Sequence, residues 1–370
     1  MFTPRHVFTG KKHQDKFSSA GARDAEDIDS MPKRALDQAM DLTNTKVGEF
    51  VIEAKIGEGT HGVVYKAKAS GDHAVDVAIK QMKPTRGNDG ISITALREIA
   101  LVRELSHPNI VVMLDVVMTS SEDGAGRRIL NLVFEYVGSD LAQRMKAAHC
   151  SGQFFEQATI RSIMQQTLTG LTYLHAAFAM HRDIKPANLL VSDAGSVKIT
   201  DFGLSRLFDR PLRPVGMDGP VVTPWYRPPE LLLGAKTHTA TVDCWSAGCV
   251  LGELYTLQPL FPARENVEED LQREQLLTVV RNLGAPTVDS WPNVRQLRHW
   301  RAFEGALLSL PPAAHVSLEE RFVAECPAGG PKPSVLAWDL LHGLLTLCPE
   351  GRFSAAAAAA HPFFSERSRD

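Results

Sequence analysis

The sequence predicts an α+β fold made of two unequal parts that enclose a cleft. Short runs rich in β-branched residues are confined to the first part, among them Val63-Val64-Tyr65 and residues 75–79, and such runs favour strands. After Gly138 helical periodicity dominates, as in residues 159–175 and 242–257. Segregated strands and helices are typical of α+β folds, and a cleft between two parts is a common ligand site.

Length and composition exclude several classes of protein. The chain has 370 residues, is 44% hydrophobic and carries a formal charge of −3. This length suits two packed lobes, and the apolar fraction excludes wholesale disorder. No uninterrupted apolar run approaches the ~18 residues of a membrane helix, so we expect no membrane contact. The near-neutral charge predicts no direct nucleic-acid contact, and the N-terminus lacks the apolar region of a secretory signal.

The chain is expected to divide into four segments. Residues 1–46 are polar and predicted to form a largely flexible tail. A short helix at 32–40 is either solvated or docks a partner, since Leu36 and Met40 share one face. Residues 47–136 are predicted as the strand-rich lobe, 137–366 as the helical lobe, and 367–370 as the C-terminal end.

A glycine-rich loop, residues 57–62, lies between two strand-like runs and reads Gly-Glu-Gly-Thr-His-Gly. Glycines allow a backbone to approach phosphates because no Cβ intervenes. A dinucleotide-binding fingerprint is the alternative, but it requires a helix directly after the glycines. Here Val63-Val64-Tyr65 continues as a strand, which favours a loop of the kinase type.

Lys80 ends an apolar strand, and Glu98 lies on the predicted helix 93–105. The periodicity of this helix places Leu96, Ile99 and Ala100 together on an apolar face. A cation in a cleft is costly unless it is paired. A Lys80–Glu98 pair would direct the ammonium towards nucleotide phosphates. The alternative for a single lysine is a surface position with its stem packed on the protein.

A compact polar motif, residues 181–188, reads His-Arg-Asp-Ile-Lys-Pro-Ala-Asn, and Asp201-Phe202-Gly203 follows it. One aspartate, Asp183, can accept the proton of a substrate hydroxyl. Asn188 and Asp201 offer the hard oxygen ligands that Mg²⁺ prefers. The joint pattern therefore predicts phosphoryl transfer.

Together these motifs resemble those of eukaryotic protein kinases over residues 47–364. Pro228-Pro229-Glu230 also resembles a family motif, with proline where alanine is usual, and Arg352 is the expected partner of Glu230. The resemblance implies ATP and Mg²⁺ as cofactors, with Asn188 and Asp201 as metal ligands. The catalytic set that it implies is Lys80, Glu98, Asp183, Lys185, Asn188 and Thr223. The ATP contacts that it implies are Ile56, Gly57, Glu58, Gly59, Thr60, His61, Gly62, Val64, Ala78, Lys80, Phe134, Glu135, Val137, Asp140, Asn188, Leu190 and Asp201.

Within that family the chain resembles the cyclin-dependent kinases. The resemblance lies in residues 92–99, reading Ser-Ile-Thr-Ala-Leu-Arg-Glu-Ile, and in 221–227 and 243–249. It implies a proline-directed Ser/Thr kinase, in which Arg227 helps to favour proline after the phosphorylated residue. It also implies that a bound cyclin holds helix 93–105 productively, and that Glu98 turns away from Lys80 without one.

An aspartate, Asp218, stands where most cyclin-dependent kinases carry an activating threonine. Arg97, Arg182 and Arg206 match the three arginines that hold the phosphate, and a carboxylate substitutes for it in part. This pattern and the segment 206–214 resemble the Mediator-associated cyclin-dependent kinases, which bind a C-type cyclin. In that subfamily the cyclin-facing helix usually reads Ser-Met-Ser-Ala-Cys-Arg-Glu, so the sequence of this helix departs from the subfamily pattern.

The resemblance implies a role in transcription, with Mediator kinase-module subunits as partners and the RNA polymerase II C-terminal repeats as substrate. It also implies a nuclear location, with the cytoplasm as the alternative. One alternative function is a cell-cycle or other transcriptional cyclin-dependent kinase. An alternative of another class is a catalytically idle scaffold with a kinase fold.

Overall fold

A computed structural model describes residues 45–59, 62–70, 75–83, 93–120, 128–208, 224–263, 271–308 and 318–366. All of them belong to one compact unit, Asn44–Asp370. Of the predicted tail only residues 45 and 46 are described, so the expected helix at 32–40 lies outside the described residues. No helix in the described ranges is both long and apolar enough to cross a membrane.

The first lobe is an antiparallel sheet whose strands lie in the order β1-β2-β3-β4-β6-β5. Alternation of side chains explains its two faces, since in β4 the side chains of Val77 and Ile79 are fully buried. The strands of this sheet lie between residues 46 and 135, and the segment predicted to be strand-rich is 47–136. Its strands are β1 (Lys46–Val47), β2 (Phe50–Glu58), β3 (Gly62–Ala69), β4 (Asp76–Met82), β5 (Met113–Ser120) and β6 (Arg128–Glu135).

Helix α1 (Ile93–Val102) packs beside this sheet. Its regular turns end three residues before the predicted boundary at residue 105. The sequence pattern placed Leu96 on the apolar face, but Leu96 is 50% exposed and the helix buries Ala95, Glu98 and Val102 instead. The face that is turned inward is therefore set by the polar partner of Glu98 as well as by apolar packing.

The second lobe is mainly helical. The helices predicted at 159–175 and 242–257 are confirmed as α3 and α5. Its helices are α2 (Leu141–Cys150), α3 (Gln157–Ala176), α4 (Pro229–Leu232), α5 (Thr241–Thr256), α6 (Leu271–Leu283), α7 (Trp300–Leu308), α8 (Leu318–Glu325), α9 (Val335–Leu344) and α10 (Ala355–Ala359). Short strands between them are β7 (Ser139–Asp140), β8 (Ala179–Met180), β9 (Leu189–Val191), β10 (Val197–Ile199) and β11 (Arg206–Leu207).

Helix α5 forms the centre of this lobe, and every residue from Val242 to Thr256 is buried. Its polar residues Asp243, Ser246 and Glu253 are buried together with the apolar ones, so other elements enclose the helix on all sides. Gly248 permits this, because a Cβ there would lie 2.9 Å from side-chain atoms of Leu344 and Leu345. Helix α5 thus provides a rigid support for the loops above it.

A buried ion pair ties α4 to the C-terminal part of the lobe. Arg352 donates from both terminal nitrogens to the carboxylate of Glu230, at 2.8 and 2.9 Å. The same guanidinium donates to the carbonyls of Thr346 and Thr241, and it lies over the Trp245 ring. Such bidentate pairs are strong when their remaining donors are satisfied. The predicted Glu230–Arg352 partnership is confirmed.

Candidate active site

A cavity of about 450 Å³ lies between the sheet and the helical lobe. Its volume falls within the usual range for small-molecule sites. Every predicted ATP contact that is described lines it, while Thr60 and His61 lie outside the described residues. Those lining residues are Ile56, Gly57, Glu58, Gly59, Gly62, Val64, Ala78, Lys80, Phe134, Glu135, Val137, Asp140, Asn188, Leu190 and Asp201.

Lys80 is the charge centre of the cavity. Its Nζ lies 2.8 and 2.9 Å from the two carboxylate oxygens of Glu98 and 2.8 Å from Oδ1 of Asp201. Burial by itself would lower the pKa of Lys80, but the charges of Glu98 and Asp201 outweigh burial and raise it. Lys80 therefore stays protonated, and the pairing predicted from the sequence is present.

The glycine-rich loop closes on itself, since the Gly59 N–H donates to the Gly62 carbonyl at 2.9 Å. Two lysines hold the Glu58 carboxylate, Lys55 at 2.6 Å and Lys83 at 2.9 Å. Hydrogen bonds from Lys55 and then Lys83 lower the pKa of Glu58 to about 2. The Glu58 carboxylate is thus engaged by these lysines at the outer side of the loop, although the residue lines the cavity.

The loop that follows β8 is built on α5. The carboxylate of Asp243 accepts hydrogen bonds from the backbone N–H of His181 at 2.9 Å and of Arg182 at 2.7 Å. It also contacts His175 Nε2 at 2.9 Å. Burial would raise the pKa of Asp243, but the hydrogen bond and charge of His175 outweigh burial and lower it. Arg182 has a φ of 70°, a strained value that this anchoring maintains.

Asp183 lies at the centre of the polar loop. Its Oδ2 accepts hydrogen bonds from Lys185 Nζ at 2.8 Å and from Asn188 Nδ2 at 2.9 Å. The Asn188 amide also donates to the Asp183 carbonyl at 2.7 Å. These contacts orient the amide of Asn188, so that its nitrogen faces Asp183. Asp183, Lys185 and Asn188 thus form one cluster at the cavity wall.

Asp201 begins the Asp-Phe-Gly motif with a φ of 65°. Phe202 is fully buried, and its ring lies edge-on to His181 with 5.0 Å between centroids. The carbonyl of Thr200, the residue before Asp201, accepts a hydrogen bond from His181 Nε2 at 3.0 Å. The buried phenylalanine therefore orients the Asp201 carboxylate towards Lys80 and the cavity.

Asn188 and Asp201 offer an amide and a carboxylate oxygen on one cavity wall. Among the described residues no three His, Cys, Asp or Glu side chains gather into a metal-binding group. A site with few protein ligands fits a magnesium ion, which retains water and binds substrate phosphates. The donor chemistry of Asn188 and Asp201 therefore suits a hard divalent cation held jointly with a nucleotide.

The segment Pro224–Tyr226 lies within the predicted motif 221–227, but its hydrogen bonds to α5 were not predicted from the sequence. The Tyr226 hydroxyl donates to Oε2 of Glu253 at 2.6 Å, and Ser246 Oγ donates to the Tyr226 carbonyl at 2.8 Å. Burial raises the pKa of Glu253 to about 7 despite the opposing Tyr226 hydrogen bond. Burial also lowers the pKa of Arg227, which the charge of Asp183 opposes. This segment is thus fixed to α5 close to Asp183.

Part of the predicted activation-segment site lies outside the described residues. These are Asp218, Thr223 and the side chain of Arg97. Two members of the proposed arginine pocket are described. Arg206 pairs with Met180 across β11 and β8, which brings its backbone close to Arg182. The guanidinium of Arg206 donates to the Ser205 carbonyl at 2.9 Å.

A model of the protein kinase domain matches residues 50–364. The chain belongs to the protein kinase family. A Dictyostelium discoideum protein named "Probable cyclin-dependent kinase 8" is 40% identical over 325 residues, or 86% of this chain and 81% of that protein. "Serine/threonine-protein kinase SSN3" of Coccidioides immitis is 37% identical, covering 86% of this chain and 71% of that protein. "Cyclin-dependent kinase E-1" of Arabidopsis thaliana is 37% identical, with 85% and 66% covered.

These relatives place the kinase among the cyclin-dependent serine/threonine kinases, as the motifs predicted. The two-lobed α+β fold is confirmed with it, and the relatives give no sign of an idle scaffold. Several residues that line the cavity are absent from the predicted contacts. Gly138 and Ser139 directly follow the predicted contact Val137 and could have been inferred, whereas Val111 could not, since it reaches the cavity through tertiary packing. The other missed residues are Gln143, Ala187 and Thr200.

Proposed function

We propose that this kinase transfers the γ-phosphate of ATP to Ser or Thr residues followed by proline, as the catalytic partner of a C-type cyclin. One observation carries the proposal. Lys80 and Asp201 line the same cavity as the Asp183–Lys185–Asn188 cluster, and Glu98 holds Lys80 from behind the cavity wall. One cluster is suited to hold phosphates and metal, and the other to activate a hydroxyl.

The adenine is proposed to lie between Ile56, Ala78 and Leu190, all of which line the cavity. Phe134 closes its inner end as the gatekeeper. The backbone of the hinge, residues 135–137, supplies the hydrogen bonds to the adenine edge. Asp140 lines the outer end, where the ribose would lie, although its carboxylate already caps α2 by accepting from the Gln143 N–H at 2.8 Å.

The phosphates are proposed to lie under the glycine-rich loop, within reach of Lys80. Asn188 and Asp201 would hold Mg²⁺ together with phosphate oxygens. When bound, the ion neutralises charge on the phosphates and on the leaving oxygen. Lys80 is already held by two carboxylates, so the ammonium is in position before the nucleotide arrives.

Asp183 is proposed to orient the substrate hydroxyl and accept its proton. Lys185 contacts the same carboxylate, so its ammonium would neutralise the transferring phosphoryl group close to the attacking oxygen. The transition state spreads charge over the phosphoryl oxygens, and fixed neighbouring charges stabilise it. Catalysis would thus depend mainly on positioning and electrostatics.

The substrate is proposed to bind along the segment that ends at Arg227. Thr223 is proposed as a member of the catalytic set, and Val221-Val222 with Arg227 would favour proline after the phosphorylated residue. Support comes from the rigid seating of Pro224–Tyr226 on α5 through Glu253 and Ser246. Asp218 is proposed to occupy the pocket of Arg97, Arg182 and Arg206 in place of a phosphate.

The cyclin is proposed to cover α1 and its surroundings. Leu96 on α1, Leu207 on β11 and Phe178 before β8 are large apolar side chains with 50%, 67% and 44% exposure. Helix α1 packs on the turn Phe202–Leu204, which leads directly into β11. Exposed apolar side chains on neighbouring elements are typical of a protein interface.

A nuclear role in transcription is proposed from the names of the relatives. One of them is named cyclin-dependent kinase 8, and others carry the names SSN3 and cyclin-dependent kinase E-1. Mediator kinase-module subunits are the proposed assembly partners. The C-terminal repeats of RNA polymerase II, which contain Ser-Pro pairs, are the proposed substrate.

A pull-down from native extract, followed by a kinase assay on Ser-Pro peptides, tests the proposal. We expect a C-type cyclin and Mediator subunits in the eluate, and transfer of radiolabelled phosphate to Ser-Pro but not Ser-Ala peptides. The Asp183→Asn variant serves as the inactive control. Recovery of a mitotic cyclin alone would assign the chain to the cell cycle instead.

A further inference from the structure

Three segments of the chain meet at the carboxylate of Glu135, the first residue of the hinge. Its Oε1 accepts a hydrogen bond from the Val112 N–H at 2.8 Å. The same oxygen lies 2.7 Å from Nζ of Lys198, which is the central residue of β10. The two side chains are only 29% and 17% exposed. A hinge residue is thus joined both to the sheet lobe and to the helical lobe.

Backbone hydrogen bonds also connect the three segments around this ion pair. The Glu135 N–H donates to the Val112 carbonyl at 3.0 Å, so Glu135 contacts Val112 through its backbone and its side chain. On the other side, Val111 N–H donates to the Ile199 carbonyl at 3.0 Å. Ile199 N–H donates to the Asn109 carbonyl at 2.9 Å. The segment 109–112 therefore lies between the hinge and β10. The Glu135–Lys198 ion pair joins the hinge to β10 directly.

The position of Lys198 connects this junction to the floor of the cavity. Lys198 pairs with Leu190 across β9 and β10, and Leu190 lines the cavity. Two and three residues after Lys198, the same chain supplies Thr200 and Asp201 to the cavity wall. A shift of β10 relative to the hinge would therefore change the space between Leu190 and the hinge backbone.

We propose that the Glu135–Lys198 ion pair positions the adenine end of the cavity, by fixing the hinge backbone relative to Leu190. The inference rests on the proposed function, in which the hinge and Leu190 hold adenine. Glu135 then has two separate roles: its backbone faces the nucleotide, and its carboxylate holds the hinge in place. Lys198 is a positioning residue, and it acts without touching the nucleotide.

Isothermal titration with adenosine and with ATP tests this proposal. Adenosine has no phosphates, so it reports on the adenine end alone. We expect Lys198→Met and Glu135→Gln to weaken both ligands by the same factor, roughly three- to tenfold, as for loss of one charge-assisted contact. Glu135→Gln keeps an oxygen that can accept from Val112, so this variant removes the charge with little other change.

Steady-state kinetics should likewise show weaker nucleotide binding with an unchanged chemical step. We expect KM for ATP to rise in both variants while kcat stays within about twofold, because binding is lost equally from ground and transition states. The double variant should lose no more than either single variant, since both remove one interaction. Lys198→Arg should restore most of the adenosine affinity. Additive losses, or equal losses in Lys198→Met and Lys198→Arg, would overturn the proposal.

Matched controls separate this result from general damage. Lys68→Met and Glu53→Gln break another lysine–glutamate pair, at 2.7 Å on the exposed face of β2 and β3, and should leave adenosine binding unchanged. Lys80→Met should weaken ATP but not adenosine. If the wild-type kinase binds neither ligand, the proposed function fails. If wild type binds both and Lys198→Met binds adenosine equally well, the positioning role fails alone.

Discussion

The ammonium of Lys80 contacts both carboxylate oxygens of Glu98, at 2.8 and 2.9 Å. This contact joins β4 to α1, and Asp201 joins it from the second lobe at 2.8 Å. Glu98 is almost fully buried, so its charge depends on this cation. The position of α1 is therefore coupled to the electrostatics of the cavity, and anything that moves α1 alters Lys80.

Replacing Glu98 with glutamine tests that coupling. The amide still reaches Lys80 but carries no charge, so the ammonium is held less firmly for the phosphates. We expect kcat/KM for ATP to fall roughly ten- to a hundredfold, as for loss of one partner of a buried charged pair. Glu53→Gln on the sheet surface is the control. An unchanged kcat/KM in Glu98→Gln would contradict the proposed role.

Cyclin dependence is tested by adding a purified C-type cyclin to the isolated chain. We expect the isolated chain to phosphorylate Ser-Pro peptides weakly, and we expect the cyclin to stimulate this transfer strongly. The Leu96→Glu variant should abolish stimulation, because a carboxylate would be desolvated at the proposed interface. Val335→Glu, on α9 and 84% exposed, is the matched control. Strong activity of the isolated chain would argue against cyclin control.

Asp183→Asn should separate chemistry from binding. The amide cannot accept the hydroxyl proton, so we expect kcat to fall by about 10²–10⁴. Affinity for ATP should stay within about threefold of wild type, because the variant removes no proposed nucleotide contact. Titration calorimetry measures the affinity and a phosphotransfer assay measures kcat. Loss of ATP binding would assign Asp183 a different role.

Glu253 should make stability depend on pH. Burial raises its pKa to about 7 in the folded chain, against about 4.3 when unfolded. Between these values the folded chain retains a proton that the unfolded chain has lost, so stability falls as pH rises from about 4.3 to 7. The contribution is on the order of 3 kcal/mol.

The Glu253→Gln variant removes that titration while an amide oxygen can still accept from Tyr226. We therefore expect its free energy of unfolding, relative to wild type, to increase between pH 5 and pH 7.5. Urea unfolding at both values measures the difference. A constant difference between variant and wild type would show that Glu253 does not titrate in this range.

Substitution by alanine should affect stability differently at two glycines of the glycine-rich loop. A Cβ on Gly62 would collide with the carbonyl oxygen of Gln81 on the neighbouring strand. Since backbone cannot move aside cheaply, we expect Gly62→Ala to lower stability by about 1–3 kcal/mol. A Cβ on Gly59 meets no described atom within 4 Å, so Gly59→Ala should preserve thermal stability. Equal melting temperatures for both variants would be inconsistent with this packing.

The predictable part of the site comes from short motifs. Asp183, Lys185 and Asn188 lie within six residues, so local backbone geometry brings them together wherever that loop folds. Strand and helix assignments such as β4 and α5 also follow from local periodicity. These features depend on near neighbours in the chain, and the resemblance of the motifs to those of protein kinases then implied the kinase fold.

The burial of α1 and the surroundings of the hinge depend on contacts between distant residues. Periodicity placed Leu96 inward, yet Glu98 is turned in because the ammonium of Lys80 compensates its charge. The Glu135–Lys198 and Tyr226–Glu253 contacts join residues 63 and 27 positions apart along the chain. The residues that give the polar loop its chemistry are thus determined by the sequence alone. The packing of the two lobes decided which charges meet and which apolar side chains remain exposed, because burial and pairing are properties of the assembled chain.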